Sequence, residues 1–529
     1  MLTDELKQIL RGEVSDSAAD IEKYSRDASI FQITPQVIVF PQDAVDLQRL
    51  VSFVAQHKLD RPELSLTMRS GGTDMTGGSI NDSIIIDTTA HLNQILEIGS
   101  NFAWAEPGVY YRDFETAVAE RGLLMPAYPA SRGICALGGM VGNNAGGEKS
   151  LSYGQVVNYV QGLEVILADG QIHNFRPLNV SELHQMMKLQ NFEGEIYRKV
   201  YDLVTQNDVI LQQAKPTTSK NSSGYLLWDV WDGNTFDLTK LFTGSQGTLG
   251  LITKIRFRLV EPSITSQLLV VDLPEITELG HIVNSLKAHH PETLEIFDDH
   301  TMKLAMQYMP EIMPSLWSPL TAQIPRAVLL AEFSGMDAAE AEQNLQAAQQ
   351  SVEKEFKVKT YRTRTAEEAQ QYWKIRRESY NLLRQHMKTK VPAPFIEDIV
   401  VHPDQLPEFL PALDKIFQKY DFAYSIAGHA GDANFHIFPL LDLSHEQERG
   451  IVANLSSDVY DLLITYNGSM SAEHNDGLIR GPFLPKMFGP EVCALFQQAK
   501  NIFDPLGIFN PHKKISADMA FFTEHLRRS

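Results

Sequence analysis

Two histidines bracket a short polar turn in Gly428-His429-Ala430-Gly431-Asp432-Ala433-Asn434-Phe435-His436, and an acid–imidazole pair follows in Ala472-Glu473-His474-Asn475. A hairpin over the Gly/Asp/Asn turn would set His429 and His436 on adjacent strands, close enough to share a partner. Two imidazoles and a carboxylate are a common set for a catalytic divalent cation that leaves positions open for substrate. A lone His pair at this spacing can equally be structural. The tight turn and the Glu-His pair favour a site.

A second kind of chemistry is written in glycine. Residues 69–79, Arg-Ser-Gly-Gly-Thr-Asp-Met-Thr-Gly-Gly-Ser, follow a strand-like run. Consecutive glycines let the backbone curl so that several N–H groups face one point, a nest suited to a pyrophosphate, and Thr73, Thr76 and Ser79 add hydroxyls. Residues 136–147, Ala-Leu-Gly-Gly-Met-Val-Gly-Asn-Asn-Ala-Gly-Gly, offer little side-chain bulk and suit a backbone laid against a flat ligand. Residues 244–250, Gly-Ser-Gln-Gly-Thr-Leu-Gly, repeat that character. None matches GxxxxGK[ST], a GxGxxG opening a helix, or a GxSxG elbow. Each alone could be a tight structural turn, but three in one region are hard to explain as unrelated loops.

These turns need elements to hold them. Residues 1–30 read as short amphipathic helices. Residues 36–40, 64–69, 84–87, 103–106 and 160–167 read as strands, 249–259 as a final strand pair, and 43–57 and 111–121 as helices with apolar spacing near 3.6. Beyond Pro262 the pattern becomes strand, helix, strand: 268–273, 276–289, 294–297; 327–333, 337–356, 357–362; 395–401, 403–420, 422–427 and 435–440. From 456 to about 514 it is helical again apart from the polar loop 469–477. The class is α+β, not a doubly wound sheet. The expected division is 1–32, a helical segment; 33–262, a first domain; 263–455, an antiparallel sheet with helices; and 456–529, a helical segment completing the site.

Composition narrows the function. The 529 residues carry 46 Lys+Arg against 66 Asp+Glu, a net −20, with 43% hydrophobic and 21% charged residues. That acidity argues against a nucleic-acid scaffold. No run approaches the roughly 18 apolar residues of a membrane span, and the first residues show no secretory pattern. The two cysteines, Cys135 and Cys493, exclude a disulfide framework, a zinc ribbon and an iron–sulfur cluster. The expectation is a cytoplasmic protein, with peripheral membrane contact left open. Any redox centre must be an organic cofactor.

The order Arg-Ser-Gly-Gly-Thr (69–73), Glu-Pro-Gly (106–108), Gly-Gly-Met-Val-Gly-Asn-Asn-Ala-Gly-Gly (138–147), Tyr-Gly (153–154) and Gly-Ser-Gln-Gly-Thr-Leu-Gly-Leu-Ile-Thr (244–253) resembles the FAD domain of the vanillyl-alcohol-oxidase/p-cresol-methylhydroxylase (PCMH-type) flavoproteins. The C-terminal motifs resemble the FAD-linked 2-hydroxy-acid dehydrogenases, which include D-lactate dehydrogenase, the flavin subunit of glycolate oxidase and D-2-hydroxyglutarate dehydrogenase. The resemblance spans about 33–515. It implies a PCMH-type two-subdomain FAD-binding domain followed by a cap. It implies FAD contacts from Ser70, Gly71, Gly72, Thr73, Asp74, Thr76, Gly77, Pro107, Gly108, Gly138, Gly139, Gly142, Asn144, Tyr153, Gly247 and Ile252. Some relatives carry covalent flavin on a histidine where Thr73 stands here, so non-covalent FAD is expected.

For the C-terminal motifs the resemblance implies His429, His436 and Glu473 as ligands of zinc or another divalent ion, His474 as base and Asn434 as a substrate-side donor. Relatives usually have glycine at Ala433 and Asn475. Arg376 matches the family's substrate arginine, though a helix-surface ion pair would explain it equally. The implied reaction is oxidation of a 2-hydroxy acid to the 2-oxo acid, with hydride to flavin N5. Residue Tyr380 and the stretch containing Glu397 and Asp398 stand where the 2-hydroxyglutarate enzymes place a threonine and a lysine. A lactate-like, glycolate-like or larger apolar substrate is therefore expected over a dicarboxylate. Electrons must leave to a quinone, an electron-transfer protein or oxygen. A metal-independent FAD alcohol or phenol oxidase, and a non-catalytic flavin subunit, are the alternatives. The segments 220–225 and 504–511 also look like family motifs; the first places Lys220 or Asn221 near the site, and the second reads as a structural turn.

Overall fold

A computed structural model describes residues 2–312, 324–335, 337–387 and 390–528. In its first sheet the short strands Val37–Phe40 and Ile84–Asp87 are almost wholly apolar, the pattern of strands covered on both faces. Val37–Phe40 and Leu66–Arg69 pair in parallel with a central Ile84–Asp87, and Glu13–Ser15 adds an antiparallel edge. The helix Ala44–His57 covers this sheet. Asp43 caps it by accepting from the N–H groups of Val45 and Asp46, and Leu47, Leu50, Val51 and Val54 form its buried stripe.

The second sheet is antiparallel and takes strands from far apart in the chain. Its order is Ile95–Ile98, Phe102–Ala105, Leu251–Arg258, Val160–Ile166, Ile172–Phe175. The central strand, Leu251–Arg258, is the last of the five in sequence. The glycine turn 244–250 feeds directly into it, which draws that turn back to the strands that follow the other two.

The third sheet has seven strands in the order Lys359–Arg362, Thr265–Leu273, Ala327–Gly335, Thr293–Asp298, Ala423–His429, Asn434–Leu441, Val391–Pro392; an eighth, Ile399–Val400, also pairs with Asn434–Leu441. All pairings are antiparallel. Period-two alternation sorts its faces. Leu269, Val271 and Leu329 share a core with Leu279, Ile282 and Leu345, from the helices Leu279–Lys287 and Ala338–Glu355. Leu268, Val270 and Leu330 share another with Tyr372, Trp373 and Ile375 of the helix Ala366–His386.

Several elements differ from the sequence reading. Glu13–Ser15 is a strand inside a region that reads as helical. Residues 137–143, read only as a glycine run whose backbone suits a flat ligand, form a helix, Leu137–Asn143, closed by Asn144 in the left-handed conformation. Glycine content lowers helix propensity but does not forbid a short helix that buries Leu137, Met140 and Val141. The strand expected at 395–401 shrinks to Ile399–Val400, and the pair expected at 249–259 is one strand. No helix among the described residues is long and apolar enough to cross a membrane.

Candidate functional site

The hairpin forms as its turn residues require. Ala423–His429 pairs with Asn434–Leu441, with Ala427 opposite His436 and His429 opposite Asn434. The turn closes through Ala433 at φ 55° and ψ 31°, a left-handed conformation costing a non-glycine residue roughly 1–2 kcal/mol. The loop 471–474 is then stapled onto the strands by one carboxylate. Asp398 Oδ2 accepts from Ser471 Oγ (2.7 Å), Glu473 N (2.9 Å) and His474 N (2.7 Å). That staple brings Glu473 and His474 to the paired histidines.

The three imidazoles share one arrangement. His429 Nδ1 lies 2.6 Å from Glu295 Oε1, His436 Nδ1 2.9 Å from the Glu397 carbonyl, and His474 Nδ1 3.0 Å from Glu397 Oε1. Each Nδ1 thus faces an outer acceptor. The three Nε2 atoms converge on a single oxygen, Glu473 Oε1, at 2.9, 3.5 and 3.9 Å respectively. Imidazoles oriented by outer acceptors, with the second nitrogen turned inward, are the common pattern at metal sites. The other Glu473 oxygen accepts from Lys220 Nζ at 2.7 Å. Donor atoms of Asp398, His436, Glu473 and His474 also lie within 4.8 Å of one another. Asp398, however, is spent on its loop and on Asn434 Nδ2.

Electrostatics follow from that packing. Burial opposes charge on His429, but Glu295 and Glu473 outweigh it and raise its pKa. Burial lowers that of His436, and the neighbouring histidines add to the effect. Burial likewise opposes charge on His474, but Asp398 and Glu397 push it up to about 9. Glu473 is held well below the usual carboxylate range, His429 and Lys220 overcoming its burial. Glu397, also buried, is held at about 2 by Arg480, 2.8 Å away, and by His474.

Arg376 projects from the helix Ala366–His386 into the same region. Its Nη2 is ion-paired with Glu295 Oε2 at 2.7 Å, and its Nε has no hydrogen-bond acceptor among the described residues. Glu295 thereby links Arg376 to His429.

One cavity of about 810 Å³ joins this cluster to the glycine turns, within the range of cofactor sites. Ser70, Gly71, Gly72, Thr73, Asp74, Pro107, Gly138, Gly139, Gly142, Gly247 and Ile252 line it, together with Arg376, His436, Glu473 and His474. Gly139 and Gly247 have nothing within 4 Å of where a Cβ would stand. The turns are sewn together by side chains. Asp74 Oδ2 accepts from Thr76 N and Gly78 N, Asp74 Oδ1 accepts from Asn143 Nδ2, and Gln246 Nε2 donates to Thr76 Oγ1 and Asn143 Oδ1.

Other expected residues do not reach the cavity. Thr76 and Gly77 brace the first turn from behind, Gly77 against Phe31 and Leu478. Gly108 lies tight against the Thr88 and Leu92 carbonyls, where a Cβ would collide. The Asn144 side chain caps locally, to Asn221 O and Val157 N, and Tyr153 does not line the cavity either. Asn434, expected as a substrate-side donor, is buried with its amide donated to Asp398 and Ile399 O. His429 is buried and does not line the cavity. Residues that the sequence reading passed over also line the cavity, among them Arg26, Arg69, Ile134 and Arg384. Asn475 ties the loop to two glycine turns, donating to Gly244 O and Asn143 O. The 504–511 turn does the same through Asn510, which donates to Gly78 O and Gln246 O.

A family model described as "FAD binding domain" matches residues 35–176, and one described as "FAD linked oxidases, C-terminal domain" matches 265–514. The chain carries both domains, and residues of each line the cavity. Among curated relatives, D-2-hydroxyglutarate dehydrogenase of Pseudomonas putida is 28% identical over 510 residues, 95% of this chain and 50% of that protein. Glycolate oxidase subunit GlcD of Bacillus subtilis is 28% identical over 509 residues, 95% and 94%. D-lactate dehydrogenase of Archaeoglobus fulgidus is 26% identical over 482 residues, 90% and 91%. The chain spans about half the length of the first of these. The fold is that of p-cresol methylhydroxylase, with a TM-score of 0.69 at 15% identity over 98% of this chain and 96% of that one. A 4-ethylphenol oxidase from Gulosibacter chungangensis gives the same TM-score at 14% identity over 98% and 97%.

Proposed function

We propose that the FAD-loaded chain oxidises a 2-hydroxy acid to the 2-oxo acid, with His429, His436 and Glu473 holding a divalent cation, zinc among the candidates. The observation that carries this reading is the convergence of three imidazole Nε2 atoms on Glu473 Oε1, at the end of a cavity walled by the glycine turns. When bound, FAD supplies the two-electron acceptor. When bound, the cation supplies a Lewis acid that favours an ionised hydroxyl.

The rest is the work of the chain. Arg376, held by Glu295 at Nη2, offers Nε to the substrate carboxylate, a charge-assisted pairing. His474, fixed at Nδ1 by Glu397, presents Nε2 to the cavity and, in its neutral form, takes the hydroxyl proton there; with its pKa raised to about 9, that form grows as pH rises. Ser70, Gly71, Gly72 and Thr73 with Gly138, Gly139 and Gly142 cradle the dinucleotide, which Thr73 leaves unattached.

The wall beside His436 favours a small or apolar side chain on the substrate. Tyr380 packs on Phe438 with ring centroids 4.8 Å apart, and Glu397 is consumed by Arg480 and His474. Lactate-like and glycolate-like acids fit this wall. Arg384, which also lines the cavity, favours a second reading, a dicarboxylate with its distal group on that side. Cys135 and Cys493 are both unpaired, so electrons leave to a separate quinone, electron-transfer protein or oxygen. The cytoplasm remains the proposed compartment, on cysteine usage.

His436→Ala tests the reading. Joint loss of bound divalent metal and of 2-hydroxy-acid turnover is expected, by about 10²-fold or more in kcat. Unaltered turnover would favour a metal-independent alcohol oxidase instead.

A further inference from the structure

Arg69 ends the strand Leu66–Arg69 and is 9% exposed. A guanidinium stays charged at any working pH, so one this buried ordinarily has a carboxylate or several carbonyl acceptors. Arg69 has neither. Its Nη1 is buried without an acceptor among the described residues. The carboxylates around it are committed elsewhere. Asp87 accepts from Tyr24 Oη at 2.7 Å and from the N–H groups of Thr89 and Ala90. Asp27 takes Ser29 N and Ser79 Oγ, and Asp74 takes the loop amides and Asn143.

The group is nonetheless held in place. The Tyr24 ring covers one side, 5.2 Å from Cζ, a cation–π contact that fixes orientation without neutralising charge. Gly72 approaches so closely that a Cβ there would stand 2.5 Å from Nη2. Glycine at φ 66° is what lets the loop fold over the guanidinium. Arg69 lines the cavity beside Ser70, Gly71 and Thr73. A fixed, unpaired cation under a nest of backbone amides is an incomplete ion pair that an anion would complete.

We infer that Arg69 is a binding residue for the diphosphate of the dinucleotide, supplying the positive charge that the backbone nest lacks. This rests on the FAD reading above. Because Arg69 forms no close ion pair among the described residues and Asp27 compensates it only in part, removing it relieves the flavin-free chain of a buried charge, whereas a packing residue would leave a void. The two roles therefore move flavin-free stability in opposite directions.

The test compares wild-type chain, Arg69→Met and Arg69→Lys, each freed of flavin, for FAD affinity, riboflavin affinity and melting temperature. The expected result is FAD binding weakened about 10- to 100-fold in Arg69→Met, partial recovery in Arg69→Lys, and riboflavin affinity within about twofold of wild type. Flavin-free Arg69→Met should melt no lower than wild type and gain less from added FAD. Equal losses of FAD and riboflavin affinity, or a lowered flavin-free melting temperature, would overturn the inference in favour of packing. Unchanged FAD affinity with loss of the spectral response to added 2-hydroxy acid would overturn it in favour of the substrate carboxylate. Failure of the wild-type chain to bind FAD would contradict the FAD reading itself and take the inference with it.

Discussion

Glu473 divides its carboxylate: Oε2 receives Lys220 at 2.7 Å, while Oε1 faces three imidazoles. Lys220 is fully buried and keeps its charge because Glu473 and Asp432 outweigh its desolvation. Lys220→Met should therefore strand Glu473 and cost about 3–5 kcal/mol in stability, read as a drop in melting temperature together with lowered metal content after equilibration. A wild-type melting temperature would show that Lys220 is incidental. The His429, His436 and Glu473-His474 motifs were legible because they lie close in sequence or around one turn. Glu295, Glu397 and Arg480 were not. Each reaches the cluster from a distant segment, and only strand register makes Glu295 a neighbour of His429. Arg69 was read only as part of a glycine loop, because its missing counter-ion is visible only in three dimensions.

The helix Ala366–His386 ties the cap to the FAD-binding part of the chain. Arg377 reaches Glu148 with two bonds, Nε to Oε2 at 2.9 Å and Nη2 to Oε1 at 2.7 Å, and stacks on Trp373. Burial alone would raise Glu148, but Arg377 holds it at about 2. Its neighbour Arg376 is thereby set over the cavity. Arg377→Ala should cost about 3 kcal/mol by leaving Glu148 buried and unpaired, and should raise KM more than it lowers kcat by loosening Arg376. A change confined to kcat would argue against that positioning role. The strand Ile172–Phe175 carries a pH-dependent element. His173 sits between Asp169 and Glu193, which overcome its burial and raise its pKa to about 9. The charged pair stabilises the fold in full below the unfolded value of about 6.5 and is lost as pH rises toward 9. His173→Gln should flatten the stability profile between those values; an unchanged slope would contradict the assignment. Strands were legible from apolar runs and their alternation, whereas the helix 137–143 was hidden by its glycines.

The two halves of the molecule meet at one cavity, and neither half holds a complete site. The glycine turns come from the first and the imidazoles from the second, with the 504–511 turn tied to the glycine turns through Asn510. The proposed anionic substrate would have to enter a chain of net charge −20. The cavity answers that field locally with Arg26, Arg69, Arg376 and Arg384 among its lining. The architecture was legible from motif order, because three glycine turns needed one shared purpose. Of the cationic lining only Arg376 was legible, since the others are scattered through the N-terminal segment, a strand end and the far end of a helix. The most direct test is anaerobic mixing of the flavin-loaded chain with D- and L-lactate, glycolate, D-2-hydroxyglutarate and longer apolar 2-hydroxy acids, following the long-wavelength flavin band. Bleaching by at least one of them, and no bleaching by simple alcohols, is the predicted result. A flavin that binds yet stays oxidised with every 2-hydroxy acid would contradict the proposed reaction.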